Sequence, residues 1–267
     1  MLRVLTLNVW NDSGPWPARA ERIRGWIERL APDLIAFQEV LRSPRRDLAR
    51  ELVGERWELA FGEASKFWKS PEESFGNAIA SRWPIAKTDL LPLPSKEGDH
   101  ETRSALLCHI DSPHGPLRFC CTHLNWKFHH GFVRERQAVE LADFARAQRV
   151  HRGFPTIIAG DFNAEPDSDE IRYMTGRHSI GGRSAYWNDA WLVAGRDGDG
   201  ITWSNRNAYA RTALEPDRRI DYIFVDYPLR DGRGLVESCR VVANDERAGV
   251  WPSDHFGVCA ELRTDPL

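Results

Sequence analysis

The sequence predicts an α+β fold: a four-layer α/β/β/α sandwich of two mixed, largely antiparallel sheets with helices outside. Apolar strand-like runs are followed by hairpin signals as often as by helical segments, which argues against a regular parallel winding. Several of these runs also end on a polar group, as Thr156-Ile157-Ile158-Ala159 does in leading to Gly160-Asp161-Phe162-Asn163. Similar endings recur from Asn8 to His255, so a single domain over residues 1–267 is expected.

In chain order, Leu2-Arg3-Val4-Leu5-Thr6-Leu7 reads as a buried strand ending at Asn8, and Asn11 to Pro17 as a loop rich in turn formers. Over 19–30, Ile23, Trp26, Ile27 and Leu30 recur at helical spacing, so one face packs on a sheet while Arg22, Arg24, Glu28 and Arg29 meet solvent. Pro32 closes this helix before a strand ending at Gln38-Glu39. Pro44 opens a second helix to about Leu52, because proline fits a first helical turn. Residues 57–83 read as strands and loop. Strands over 104–110 and 117–123 flank Asp111-Ser112-Pro113-His114-Gly115, a strong hairpin signal. The clearest helix is 131–150, with Val133, Ala138, Leu141, Ala142 and Ala145 in its buried stripe. The strand to Asp161, a helix from about Ser168, a polar Gly-rich stretch at 195–200 and strands over 218–226, 234–243 and 256–263 complete the chain.

Of the 267 residues, 42% are hydrophobic and 28% charged, the balance of a globular protein with a sizeable core. The formal net charge of −3 excludes the global positive field of a protein that grips nucleic acid mainly through phosphates, although local basic patches remain compatible with it. Five cysteines, mostly within apolar runs, fit buried thiols in a reducing compartment better than a disulfide framework, and no CxxC pair marks a zinc site. The N-terminus enters a strand at once, and no apolar run has membrane-spanning length, so there is no transmembrane segment and cytoplasmic residence is expected.

If strand alternation persists, Asp161 and Asn163 project to one side of the backbone, which suits two oxygen ligands converging on a hard cation or a phosphate. Alone, the segment also reads as an ordinary turn. The other strand ends favour the first reading. Asn8, Glu39, Asp161, Asn163, Asp254 and His255 together supply mainly oxygen donors, which suit Mg²⁺ or Mn²⁺ rather than a structural zinc. Such a cation neutralises charge on a phosphoryl group in an in-line displacement, so phosphoester hydrolysis is the expected reaction.

These residues resemble the endonuclease/exonuclease/phosphatase superfamily. The resemblance is carried, in family order, by Leu7-Asn8, Gln38-Glu39, Thr122-His123-Leu124, Gly160-Asp161-Phe162-Asn163, Arg219-Ile220-Asp221-Tyr222-Ile223 and Ser253-Asp254-His255. It implies that Glu39 is the principal metal ligand, with Asn8 and Asp254 completing that part of the site. It implies that Asp161 orients or deprotonates the attacking water and that Asn163 holds the phosphate or a second cation. His255 would contact the scissile phosphate, with Asp221 fixing its tautomer. His123 matches a second phosphate-contacting histidine, and Arg103 a phosphate-facing arginine. The plainer readings are a strand-end histidine bonded to a backbone carbonyl and a surface arginine in a salt bridge. At Trp10 the chain departs from apurinic endonucleases, which carry an acidic residue there; this argues against a second cation at that spot and an abasic-DNA role.

Substrate choice is expected to lie in three loops containing Lys66 and Trp68, Trp126 and Lys127, and Trp203 and Arg206. Aromatics interleaved with cations stack bases and hold phosphates at single-strand sites, and equally suit a lipid headgroup or a small phosphorylated metabolite. The expected activity is therefore a metal-dependent phosphodiesterase of nuclease type. A small-molecule or lipid-headgroup phosphoesterase and a non-catalytic binding module are the alternatives. The expected partner is a phosphodiester substrate, nucleic acid among the candidates, with no obligate protein partner implied. Glu165 reads as a turn residue and Asp189 as a helix start, both outside the site.

Overall fold

The computed structural model describes residues 1–98, 102–150, 153–196 and 198–267; Asp197, within the Gly-rich stretch at 195–200, lies outside them. Thirteen strands form two sheets among the described residues. The first contains β1 (Leu2–Asn8), β2 (Leu34–Ser43), β3 (Arg46–Asp47), β4 (Glu58–Phe67), β5 (Ser70–Ser81), β12 (Val236–Val242) and β13 (Gly257–Leu262). Its order is β12-β13-β1-β2-β5-β4, with β3 paired beside β2. The second contains β6 (Ile85–Leu93), β7 (Arg103–Ser112), β8 (Gly115–His123), β9 (Ile157–Asp161), β10 (Asn188–Asp189) and β11 (Asp221–Val225), in the order β10-β11-β9-β8-β7-β6.

Strand alternation sorts the apolar side chains into three layers of core. Between the sheets, Val4, Leu34 and Ala36 of the first meet Leu106, Phe119, Cys121, Ile157 and Ala159 of the second. On the outer face of the first sheet, Leu5, Leu7, Ile35 and Phe37 pack against Ile23, Ile27 and Leu30 of α1 (Trp16–Leu30) and Leu48 and Leu52 of α2 (Leu48–Val53). On the outer face of the second, Leu107, Cys120 and Ile158 meet Ala138, Leu141 and Ala142 of α3 (Gly131–Ala147) and Ile171 and Met174 of α4 (Asp169–Met174). The four-layer α/β/β/α order follows. Each buried leucine or isoleucine in these layers contributes about 1.5–3 kcal/mol of transfer free energy. The fifth helix, α5 (Ala190–Ala194), is capped by Asp189, whose carboxylate accepts from Trp191 N, as a helix-start residue should.

Four local expectations need correction. The second helix starts at Leu48 rather than Pro44, because Arg46–Asp47 first pairs back on Arg42 and Ser43 and the Asp47 carboxylate then caps Arg50 N at 3.1 Å. Trp26 is half-buried rather than core: its indole donates to Asp245 at 2.8 Å and Arg29 lies 3.6 Å over its ring. The strand over 218–226 is paired only from Asp221 to Val225, since Arg218 bridges instead to Trp203 and Arg219 forms a buried pair with Asp189. Asn163 does not continue the alternation of β9; its backbone N–H turns back to Asp161 Oδ1 at 2.9 Å, with φ at +50°. No helix among the described residues is long and apolar enough to cross a membrane, and all five cysteines are free and buried.

One topological feature positions the site. β1 and β2 are parallel, as are β8 and β9, so the C-terminal ends of each pair lie at one edge of its sheet. Antiparallel β11 starts at Asp221, opposite Asp161, and β13 starts just after Asp254-His255. Residues distant in sequence therefore converge at one end of the sandwich.

Candidate active site

Asp161, the last residue of β9, is the meeting point. Its Oδ2 accepts from Asn8 Nδ2 at 3.1 Å and lies 3.4 Å from His123 Nε2 and 3.6 Å from His255 Nε2. His255 Nδ1 is 3.0 Å from Asp221 Oδ2, and His123 Nδ1 is 3.0 Å from Arg103 Nη1. Arginine only donates, so His123 Nδ1 is an acceptor and its proton sits on Nε2, facing Asp161. The structure departs from the plainer readings at two points. His123 bonds a guanidinium rather than a backbone carbonyl, and Arg103 is buried rather than superficial.

Burial works against charge at each of these groups, and neighbours decide the outcome. Desolvation lowers the His255 pKa, but the carboxylates of Asp221 and Asp161 overcome it and raise the group to about 10. His255 is thus held protonated, with Nδ1 donating to Asp221 and Nε2 3.6 Å from the Asp161 carboxylate. His123 is driven well below the ordinary histidine range by burial, then by Arg103 and His255, and is neutral. Burial, with Asp221 adding to it, raises Asp161 to about 6 against the opposing pull of His255 and Asn8.

Glu39 and Asp254 form the second part of the site. Glu39 sits in a bulge of β2, where the register with β5 slips between Phe37 and Val40, and its φ is +60°. A left-handed backbone at a residue with a side chain costs on the order of 1–3 kcal/mol, and here it turns the carboxylate out of the sheet. Asn8 Nδ2 reaches Glu39 Oε1 at 3.3 Å and Asn11 Nδ2 reaches Oε2 at 2.9 Å. Asn8 Oδ1 instead accepts from Trp10 N at 2.9 Å, so Asn8 meets the carboxylates through its nitrogen and the expected ligand oxygen is engaged with the backbone. Asp254 is pushed up to about 7, first by burial and then by the Glu39 charge. A buried carboxylate and a half-buried one that repel each other, with oxygen donors only, are the donor chemistry of a hard divalent cation. One ligand atom each of Asp161, Asp221 and His255 also lies within 4.8 Å of the others, a second group whose donors could hold a metal ion.

Two supports were not legible in the sequence. Arg19, the first residue of the expected amphipathic helix, is fully buried, and its guanidinium donates to the carbonyls of Val9, Trp10, Asn11, Ser13 and Pro252. It ties the loop after β1, which carries Asn11, to the loop carrying Asp254. Asn207 completes that second loop by donating to Ser253 O at 2.7 Å and Asp254 O at 3.0 Å. Neither follows a motif; only an arginine on the buried side of a helix hinted at the first.

Above this floor opens a cleft of about 710 Å³. Lys66, Trp68 and Lys69 form one wall, Trp126 and Lys127 another, and Trp203, Glu215 and Arg218 a third, while Trp10 and Asn11 also line the cleft. Glu39, Arg103, His123, Asp161, Asn163, Asp254 and His255 line it, and Asn8 and Asp221 lie behind them. Five of the six expected loop residues face the cleft. Arg206 does not: its guanidinium donates to Asn244 O at 3.2 Å on the outer surface. Arg218, which the expectation omitted, takes its place, and Lys69 of the first expected loop also lines the cleft.

A family model described as Endonuclease/Exonuclease/phosphatase family matches residues 5–255. The Escherichia coli K12 protein YbhP, described as uncharacterized, is 27% identical over 177 residues, covering 60% of this chain and 66% of its own length. An inositol phosphosphingolipids phospholipase C from Schizosaccharomyces pombe is 28% identical over 208 residues, 72% of this chain and 46% of that protein. The chain thus spans between about half and just under two thirds of these two relatives. Among solved structures, an endonuclease/exonuclease/phosphatase from Beutenbergia cavernae superposes with a TM-score of 0.73 at 25% identity, covering 98% of this chain and 71% of that one. TDP2 from D. rerio, complexed with single strand DNA product, gives 0.78 at 18% identity with 98% of both chains covered, a likeness of fold.

Proposed function

Because the chain belongs to the endonuclease/exonuclease/phosphatase family, whose members are generally divalent-metal-dependent phosphoester hydrolases, we propose that it hydrolyses phosphodiesters as a nuclease-type enzyme. The observation that carries this reading is Asp161 Oδ2, an acceptor at the centre of Asn8, His123 and His255 on the floor of a cation-walled cleft.

Glu39 and Asp254 would hold Mg²⁺ or Mn²⁺, which supplies neutralisation of charge on the phosphoryl oxygens. The protein's own groups do the rest. His255, held protonated by Asp221, donates from Nε2 to a non-bridging phosphate oxygen. His123 offers a second neutral N–H, oriented by Arg103 at its other nitrogen. Asp161, ionised above about pH 6, accepts the proton of the attacking water. Asn163 commits its amide nitrogen to Leu124 O at 3.3 Å, so it offers a ligand its oxygen. The attack is in line: the water oxygen forms the new P–O bond as the P–O bond opposite it breaks, and the departing alkoxide takes its proton from solvent while Asp161 returns its own to solvent. Five buried thiols support residence in a reducing compartment, and we assign the cytoplasm.

The phospholipase relative favours a second reading, hydrolysis of a lipid-headgroup phosphodiester. The deciding experiment incubates purified protein with bis-p-nitrophenyl phosphate, single-stranded and duplex DNA, and phosphosphingolipid vesicles, each with Mg²⁺, Mn²⁺ or chelator. Chelator-sensitive cleavage of the diester and of single-stranded DNA is expected. Cleavage of vesicles alone would install the lipid reading, and no metal-dependent cleavage of any diester would end both.

A further inference from the structure

Arg218 is not accounted for by the chemistry above. Its side chain lines the cleft yet is only 6% exposed, and its Nε is buried without a hydrogen-bond partner among the described residues. The guanidinium carbon lies 4.4 Å from the Phe128 ring centroid and 6.0 Å from that of Trp203. Its Nη2 donates to the Glu215 carboxylate. Trp203 pairs through its backbone with both Arg218 and His255, and its ring meets the His255 imidazole edge-on at 4.9 Å. The guanidinium is therefore held one aromatic ring away from the group that would contact the scissile phosphate.

We propose that Arg218, framed by Phe128 and Trp203, is a second anion subsite that takes the phosphate flanking the scissile one on an oligonucleotide chain. The inference rests on the phosphodiesterase reading and names its substrate. Nε is too deeply buried to meet a ligand, but the guanidinium carries five N–H donors and commits only Nη2 to a side chain, so it keeps donors for an anion in the cleft it lines. Glu215 stands in for that anion in the free protein, and its side chain, partly exposed on the cleft wall, lets a phosphate displace it. The cation already over Phe128 occupies the ring face that a quaternary ammonium would need, so the subsite rejects a choline-like headgroup. Phe128 and Trp126 are each 52% exposed beside it, an arrangement that suits bases alternating with phosphates.

The test compares kcat/KM for the thymidine dinucleotide TpT, the trinucleotide TpTpT, bis-p-nitrophenyl phosphate, and glycerophosphoinositol with and without a 4-phosphate. For the wild type we expect TpTpT to exceed TpT, and Arg218→Ala to reduce TpTpT about 10- to 100-fold more than bis-p-nitrophenyl phosphate, the range for one charge-assisted contact. Arg218→Lys should retain part of the preference. Glu215→Gln should increase it, a gain that misfolding cannot produce, and Phe128→Ala, at an exposed ring, should reduce it if Arg218→Ala fails to fold. An equal loss on every substrate, or an unchanged ratio in all variants, overturns the subsite. A preference confined to the inositol 4-phosphate overturns its assignment to oligonucleotides. Cleavage of bis-p-nitrophenyl phosphate without any TpTpT advantage overturns the subsite while leaving the phosphodiesterase reading intact; no metal-dependent cleavage at all overturns both.

Discussion

At Asp161 the requirements of catalysis and of stability oppose one another. The side chain is buried beside a second carboxylate, and its ionised form is disfavoured until about pH 6. A general base needs that ionised form near neutrality. Asp161→Asn keeps the shape and the bond from Asn8 while removing the charge. Turnover of bis-p-nitrophenyl phosphate is expected to fall about 10²- to 10⁴-fold, the usual contribution of a positioned base. In the presence of chelator at pH 8 the same variant should melt at a higher temperature than the wild type, because it no longer confines a desolvated charge. Steady-state kinetics and thermal melts of both proteins check the pair, and retained turnover in the variant would remove Asp161 from the mechanism.

At the scale of elements, the site depends on how closely β8 and β9 approach. Gly160 faces Thr122 across this parallel pair, and a Cβ there would meet the Thr122 carbonyl oxygen at 2.0 Å. Neither backbone can yield without moving Asp161 or His123, the next residues along their strands. Gly160→Ala is expected to destabilise the protein by about 1–3 kcal/mol through overpacking and to lower kcat by about 10²-fold through misplacement of the acceptor. Urea denaturation and kinetics on the same preparation measure both. Wild-type kcat in the variant would show that the β8–β9 spacing does not set the geometry.

At the scale of the molecule, proton binding couples folding to metal binding. Asp161 and Asp254 bind protons more tightly in the folded, metal-free protein than in the unfolded chain, as does His255. Between pH 4 and about 7 the two carboxyls leave the folded state with more bound protons, and between about 6.5 and 10 His255 does the same. Stability with chelator should therefore fall as pH rises through both windows. A divalent cation held by Glu39 and Asp254 would displace the Asp254 proton, so the rise in melting temperature on adding Mg²⁺ or Mn²⁺ should be small at pH 5 and larger at pH 8. Calorimetry across that range is the check; an increment independent of pH would place the cation away from these carboxyls.

Much of this was determined by the sequence alone. Apolar runs closed by Asn8, Glu39, His123 and Asp161, and Asp254-His255 just before the last strand, announced both the sandwich and residues that meet at one end of it, because strand burial and strand-end chemistry are local patterns. The hairpin at Asp111 to Gly115 was legible for the same reason. Tertiary structure alone decided the tautomer of His123, the bulge that turns Glu39, the lacing of two loops by Arg19, and the exchange of Arg206 for Arg218 in the cleft wall. Each depends on a partner far away in the chain. A carbonyl at Pro252 gives Arg19 its purpose, and Trp203 and Phe128 give Arg218 its position; no pattern within a window of one element contains them.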